Sequence, residues 1–139
     1  AGSGDMERQT IDEAAKLGIS DRVIFCGFLR GQELNDLYAS ADLYVLPSIY
    51  EPFGLTPLES LVNGTPVLVS NQSGVAEVLK HALKADFWDI DDMTDKILSV
   101  INHVPLQRTL AQFGEAEARR TTWLESAKKC LNVYQQVMG

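Results

Sequence analysis

The stretch SIYEPFGLTPLESLVNGTPVLVS, residues 48–70, decides the fold because a loop, a helix and a strand follow one another in it. The helix has a marked start: Thr56 is predicted as its N-cap, Pro57 as its first residue and Glu59 as the partner in a capping box. PVLVS, residues 66–70, is an uninterrupted apolar run. Such a run predicts a strand that is buried on both faces, as in a parallel sheet.

The same alternation of apolar runs and helical patterns continues along the chain. Strands that read as continuous apolar runs and alternate with helices are typical of a parallel sheet covered on both faces. We therefore expect an α/β fold, an open doubly wound parallel sheet with a C-terminal helical tail, as one domain spanning residues 1–139. Strands are predicted at residues 22–28, 42–48, 66–70 and 85–90, and helices at 6–18 (capped by Asp5), 31–41, 56–64, 74–82, 91–103, 105–120 and 122–138.

Composition excludes several classes of function. The chain has 139 residues, a net charge of −7 and a pI of about 4.7, so it lacks the basic surface that nucleic acids and anionic membranes require. No apolar run approaches the roughly 20 residues of a membrane span. Cys26 and Cys130 lie far apart, lack metal-ligand spacing and are not expected to form a disulfide, which fits a reducing, cytoplasmic compartment. Backbone amides can nevertheless hold a phosphate on an acidic protein.

The loop and helix of the opening stretch have the chemistry of an anion site. Ligands of open parallel sheets lie at the carboxyl ends of the strands. Gly54 allows the backbone to approach a ligand closely, and the first amides of the following helix have no partner within that helix. Glu59, one turn further on, can accept hydrogen bonds from a ribose diol. Glu51 precedes the turn, where a carboxylate can stabilise positive charge on a reacting sugar.

Each of these residues also has an ordinary structural interpretation. Glu59 is predicted at the third position of a capping box, where it can simply reach back to the amide of Thr56. Glu51 can be a solvated loop acid, and Phe53 can be a packing residue. The residues by themselves leave these alternatives open.

The segment ADLYVLPSIYEPFGLTPLESLVNGTPVLVSNQSGVAEVL, residues 41–79, resembles the core of family 4 glycosyltransferases. This is the retaining, glycogen synthase-like group with the GT-B fold. The pattern has two glutamates eight positions apart with Phe-Gly between them, then Gly-Thr-Pro-Val, then Ser-Asn-x-x-Gly-x-x-Glu. The matching residues are Glu51, Phe53, Gly54, Glu59, Gly64, Thr65, Pro66, Val67, Ser70, Gly74 and Glu77.

The resemblance implies a site for an activated sugar. Such a C-terminal domain binds a nucleotide diphosphate sugar, UDP- or GDP-linked, while an N-terminal domain holds a glycan or lipid acceptor. The resemblance implies that no metal or other cofactor is needed. It implies that any membrane association is peripheral and occurs through the N-terminal domain. The resemblance implies that Glu51 is catalytic and lies beside the donor sugar, and that Glu59 binds the ribose. It places four residues at the turn that binds the diphosphate: Phe53, Gly54, Leu55 and Thr56. It places Phe28, Leu29 and Arg30 at the nucleotide base, although Arg30 can instead be an ordinary surface charge.

The chain also departs from the family's pattern. The donor domain normally opens with a strand and a loop whose arginine and lysine clamp the diphosphate, and neither that unit nor an acceptor domain stands in this sequence. We therefore expect an N-terminally truncated donor domain that is inactive alone. The alternatives are a non-catalytic α/β binding module and a GT-B epimerase acting on a sugar nucleotide. The acidic run DIDD, residues 89–92, is predicted to cap a helix rather than to hold a metal.

Overall fold

The structure is a computed structural model that describes residues 1–138. It divides into two compact units, the first comprising Ala1–Leu34 and the second beginning at Asn35. The boundary falls inside one helix, α2 (Gly31–Ser40). The helical prediction for residues 31–41 is thereby confirmed.

The first unit contains the helix α1 (Glu7–Lys16) and a 3₁₀ turn at Ser20–Arg22. The helix prediction for residues 6–18 is confirmed, but Asp5 is not its cap. Met6 precedes the helix, and no side chain bonds to the free amides there. The backbone carbonyls of Gly4 and Met6 accept bonds from this turn instead.

The predicted strand at residues 22–28 is wrong. The segment after the 3₁₀ turn has no strand partner, and 83% of the Ile24 surface is exposed. Extended backbone becomes a strand only when a neighbouring strand accepts and donates its hydrogen bonds. Within the first unit the one backbone bond to this segment runs from the amide of Gly2 to the carbonyl of Gly27.

The second unit contains a parallel three-stranded sheet in the order β1-β2-β3. The strands are β1 (Tyr44–Leu46), β2 (Val67–Ser70) and β3 (Leu83–Ala85). Two helices make the connections, α3 (Leu55–Val62) between β1 and β2 and α4 (Val75–Val78) between β2 and β3. All four residues of the central strand are buried. The predicted α/β class with a parallel sheet is confirmed.

Three helices follow the sheet and form the predicted helical tail. They are α5 (Ile90–Asn102), α6 (Val104–Arg120) and α7 (Trp123–Met138). The helix α6 packs against α3 and α5, and its Gly114 allows the close approach, because a β-carbon there would overlap the side chain of Leu61. The hydrophobic core of the second unit consists of Leu58, Leu61, Val67, Val69, Val75, Ala76, Leu79 and Ala118. None of the helices within residues 1–138 could span a bilayer.

The last strand lies earlier than residues 85–90. Its register with β2 pairs Leu68 with Leu83 and Ser70 with Ala85, and it ends there. The next residues form a turn instead, because Asp86 accepts hydrogen bonds from the β2 loop and Asp89 caps α5. Aromatic residues at 87 and 88 therefore mimic a strand signal in the sequence but belong to a turn.

Candidate functional site

The loop between β1 and α3 closes on a glycine with a backbone that other residues rarely adopt. Gly54 has φ 92° and ψ 88° and directly precedes α3. A β-carbon at this position would lie 3.2 Å from Cγ of Glu51 and 3.4 Å from Cγ1 of Val75. The turn therefore draws Glu51 close to the start of the helix.

A second loop, residues 71–74, fastens this turn to the sheet. The amide of Gly74 donates to the carbonyl of Glu51 at 2.9 Å, and the amide of Val75 donates to the carbonyl of Phe53 at 2.6 Å. A parallel bridge pairs Glu51 with Ser73. Both loops follow strands of the parallel sheet at their carboxyl ends, and these backbone hydrogen bonds bring them together.

The start of α3 differs from the predicted capping box. The helix begins at Leu55 with Gly54 as its N-cap, and no side chain of residues 1–138 bonds to its free amides. Thr56 therefore lies inside the first turn, and the predicted N-cap is wrong. Its hydroxyl accepts a hydrogen bond from the Tyr44 hydroxyl at 2.8 Å. Pro57 still fits, because first-turn amides have no helical partner to lose.

Glu59 does not cap the helix either. It lies two residues beyond the position that a capping box requires, and its Oε2 accepts a hydrogen bond from the Tyr38 hydroxyl at 3.3 Å. The residue is exposed. The structure therefore removes the capping-box alternative, and the binding role of Glu59 stays a prediction.

Tyr44 lies within electrostatic reach of both glutamates. Burial raises the pKa of its phenol most, the hydrogen bond with Thr56 lowers it, and the negative charges of Glu59 and Glu51 raise it further. The net pKa is above the ordinary value. The two carboxylates of the motif thus act on one side chain beside the start of α3.

A hydrogen-bond network holds the second loop in place. Oδ1 of Asp86 accepts from the side-chain amides of Asn71 at 3.0 Å and Gln72 at 2.9 Å. The oxygen of the Gln72 amide in turn accepts from the Ser70 hydroxyl at 2.8 Å. Hydrogen bonds from Gln72 and Asn71 hold the pKa of the Asp86 carboxyl below its usual value. This network ties the ends of β2 and β3 to the loop that carries Gly74.

An apolar cleft of about 380 Å³ opens beside the turn. On one side it is lined by the implied site residues Phe53 and Leu55, together with Leu58. On the other side Thr121, Thr122 and Trp123 stand at the junction of α6 and α7. Phe53 also packs against the core, so its packing interpretation holds at least in part.

Three implied base-binding residues lie in the first unit. Phe28 and Arg30 are exposed and Leu29 is half-buried. The guanidinium carbon of Arg30 lies 4.8 Å from the centre of the Phe28 ring, a distance typical of a cation–π contact. Their role toward a nucleotide base stays a prediction.

The acidic run at residues 89–92 caps a helix. Asp89 precedes α5, and its Oδ1 accepts from the amide of Asp92 at 2.9 Å. Asp92 also pairs with Lys96. Across residues 1–138 there is no cluster of three or more histidine, cysteine or acidic side chains that could hold a metal ion.

Four residues beside the site were not predicted from the sequence. They are Tyr38, Tyr44 and the pair Gln72 and Asp86, which holds the second loop in place. The two tyrosines are visible in the sequence as NDLYASADLY, residues 35–44, but their spacing there fits core positions of a helix and a strand. Only the tertiary fold turns both hydroxyls toward α3. Nothing in the local sequence links Asp86 to Gln72.

Comparison with known proteins identifies the family. Residues 1–117 match the family model described as Glycosyl transferases group 1. The chain is 36% identical over 143 residues to an uncharacterized glycosyltransferase of Methanocaldococcus jannaschii, covering 99% of this chain and 36% of that protein. It is 35% identical over 127 residues to mannosylfructose-phosphate synthase of Agrobacterium fabrum, covering 88% of this chain and 28% of that enzyme. The chain thus spans about a third of the length of these relatives.

Solved structures agree on the fold. Sucrose-phosphate synthase from Thermosynechococcus elongatus superposes with a TM-score of 0.82 at 26% identity, covering 99% of this chain and 37% of that one. HepE of Anabaena, solved with UDP-glucose, superposes with a TM-score of 0.81 at 21% identity, covering 98% of this chain and 39% of that one. These neighbours are GT-B glycosyltransferases, so the expected fold is confirmed. The chain belongs to the glycosyl transferases group 1 family.

Proposed function

We propose that this chain binds the donor, a nucleotide diphosphate sugar, for a retaining glycosyl transfer. The observation that carries the proposal is an uncapped helix start between two carboxylates that both act on Tyr44. Within residues 1–138 no side chain bonds to the free amides of α3, and Glu59 is exposed. The helix start therefore carries positive partial charge, and the carboxylates of the two glutamates can accept hydrogen bonds from sugar hydroxyls.

The diphosphate would bind at the start of α3. Amides of the first helical turn point outward without a helical partner, and the helix dipole places positive partial charge there. Leu55 and Thr56 supply these amides, and both residues are exposed. In the transfer reaction the same amides would stabilise the charge that develops on the leaving diphosphate.

The two glutamates would bind the two sugars of the donor. Glu59, exposed and one turn along α3, would accept hydrogen bonds from the ribose hydroxyls. Glu51, fastened beside the turn through its backbone carbonyl, would lie at the transferred sugar. As the bond between the anomeric carbon and the phosphate oxygen breaks, a nearby carboxylate stabilises the positive charge on that sugar. The acceptor would enter on the same face, without a bound metal.

The relatives support this assignment at the level of class. The solved HepE structures contain UDP and UDP-glucose, which favours a uridine or other nucleotide donor for this chain. Since the chain spans about a third of its relatives, the glycan or lipid acceptor is proposed to bind elsewhere in a full-length enzyme. Accordingly, we propose that the 139-residue chain binds donor but does not sustain transfer alone.

Thermal unfolding with UDP, GDP and ADP tests the proposal. A ligand that binds only the folded chain stabilises it by RT ln(1 + [L]/Kd), about 2.7 kcal/mol at a hundredfold excess over Kd. We expect one nucleotide to raise the melting temperature of the wild type and to lose this effect in Glu59→Ala. Asp95→Ala, at an exposed carboxylate of the same unit outside the motif, is the control and should respond like the wild type. A panel without any response would support the non-catalytic module instead.

A further inference from the structure

We propose that Tyr38 is a positioning residue that holds the Glu59 carboxylate in the orientation that a ribose diol requires. The inference rests on the proposed function, because it explains how Glu59 of that same site is oriented to bind the ribose. It concerns a residue of α2, outside the motif that contains the two glutamates. The observation behind it is the hydrogen bond from the Tyr38 hydroxyl to Oε2 of Glu59 at 3.3 Å.

Tyr38 is itself held from several directions. Only 5% of its surface is exposed, and its ring meets the ring of Tyr44 edge-on, with centroids 5.6 Å apart. Its backbone carbonyl accepts a hydrogen bond from the hydroxyl of Thr65 at 2.6 Å. A side chain that is packed in this way presents its hydroxyl at a constant place.

The Tyr38 hydroxyl also stays a donor at neutral pH. Burial raises the pKa of the phenol most, and the charges of Tyr44 and Glu59 raise it further. The proton therefore remains on the oxygen, and the bond to Glu59 runs in one direction only. A phenolate at this place would repel the carboxylate rather than hold it.

Glu59 needs such a partner because it is exposed. A free glutamate side chain samples several rotamers, and a ligand that requires one of them must oppose the lost rotamer entropy. One bond to Oε2 selects the rotamer before the ligand arrives. A carboxylate has about four acceptor positions, and Tyr38 is the one hydroxyl that bonds to Glu59 within residues 1–138. Oε1 and the second lone pair of Oε2 are thus left for the two ribose hydroxyls.

A merely structural tyrosine makes a different prediction. If the hydroxyl only satisfies a buried polar group, its removal lowers the stability of the free chain and weakens every ligand equally. If it positions Glu59, its removal weakens only ligands that have ribose hydroxyls. The two cases separate in a comparison of UDP with 2′,3′-dideoxy-UDP, which lacks both hydroxyls.

Isothermal titration calorimetry on the 139-residue chain makes this comparison, with the guanosine pair replacing the uridine pair if the wild type prefers GDP. We expect Tyr38→Phe to raise the Kd for UDP about fivefold to tenfold, the effect of losing one ordinary hydrogen bond. Its effect on 2′,3′-dideoxy-UDP should stay below about twofold. Tyr44→Phe is the matched control, because it removes a tyrosine hydroxyl that bonds to Thr56 instead, and it should affect both ligands equally.

A measurement on the wild type covers the case in which Tyr38→Phe does not fold. Three-bond couplings of the Glu59 side chain report its rotamers in the free chain, and a carboxylate held by Tyr38 should show one populated rotamer although the residue is exposed. Couplings averaged over several rotamers, or equal losses with both ligands in Tyr38→Phe, would overturn the role of Tyr38 while leaving nucleotide binding intact. If the wild type binds none of UDP, GDP and ADP, or binds the dideoxy form as well as the ribose form, the proposed ribose site itself is wrong.

Discussion

The amide of Gly74 donates a hydrogen bond to the carbonyl of Glu51 at 2.9 Å. Through this contact the loop after β2 fixes the loop after β1, which contains the glutamate proposed to act at the donor sugar. The contact requires glycine, since a β-carbon at Gly74 would overlap the carbonyl oxygen of Pro52 and lie 3.0 Å from its carbonyl carbon. The packing of two backbones thus determines the position of Glu51.

Gly74→Ala should therefore destabilise the chain by about 2–3 kcal/mol, as overpacking against a backbone does. The backbone at Gly74 is ordinary helical, with φ −60°, so the cost is steric. Urea denaturation measures it. Gly4→Ala is the control, because nothing lies within 4 Å of a β-carbon there. A loss below about 0.5 kcal/mol at Gly74 would contradict the close approach of the loops.

Gly54→Ala should lose stability for two reasons. A positive φ costs a residue with a β-carbon about 1–2 kcal/mol, and this β-carbon also presses on Cγ of Glu51 at 3.2 Å. Gly64→Ala, with φ 84° and open space around the β-carbon, isolates the backbone cost. We expect Gly54→Ala to be less stable than Gly64→Ala in urea and to bind nucleotide more weakly. Equal stability would mean that Glu51 does not pack against the turn.

Glu117 should make the stability of the chain depend on pH. Burial raises the pKa of its carboxyl, but hydrogen bonds from the amide and ring of His81 and from the amide of Lys80 outweigh this, and the net pKa is lowered. A carboxyl whose pKa is lower in the folded state stabilises it above the unfolded pKa of about 4.3, and this contribution disappears as the pH falls through the folded value.

Glu117→Gln should accordingly lower the free energy of unfolding by about 1–2 kcal/mol at pH 7. The difference in this free energy between variant and wild type should decrease as the pH falls below about 4. Urea denaturation over a pH series measures both. Glu115→Gln on the same helix breaks a largely exposed pair with Arg119 and should cost at most about 0.5 kcal/mol. A Glu117→Gln effect that is the same at pH 3 and pH 7 would contradict the assigned cause.

Asp89→Ala tests the capping interpretation of the acidic run. The variant loses the hydrogen bond from the amide of Asp92, and its free energy of unfolding should be about 1 kcal/mol lower than that of the wild type. Asp91→Ala removes a first-turn charge that makes no cap and should cost less. Addition of Mg²⁺ or Mn²⁺ should leave the melting temperature of the wild type unchanged. Metal-dependent stabilisation that disappears in Asp89→Ala would favour a metal site.

Local sequence signals predicted the second unit well. The run at residues 66–70 is buried on both faces in β2, as an apolar run in a parallel sheet should be. Asp89 caps α5, as the acidic run at residues 89–92 predicts. These features depend on residues a few positions apart, which is why the sequence contains them.

Features that depend on tertiary neighbours were not predictable from the sequence. Thr56 followed by Pro57 predicts a helix start, but α3 begins two residues earlier, after Gly54 with its positive φ, and the Thr56 hydroxyl accepts a hydrogen bond from Tyr44. The segment around Ile24 has strand propensity but no strand beside it. The role of Tyr38 required the contact between α2 and α3. Motif residues could be named from the sequence, whereas the residues that hold them required the structure.

The most direct test of the donor site is a titration of the ¹⁵N-labelled chain with UDP-glucose, followed by amide chemical shifts. The account predicts that the largest shifts occur at Gly54, Leu55 and Thr56, where the free amides of α3 begin, with further shifts around Glu59. The same titration with glucose alone should leave these amides unchanged. Shifts confined to other elements, with the α3 amides unmoved at saturation, would contradict the account.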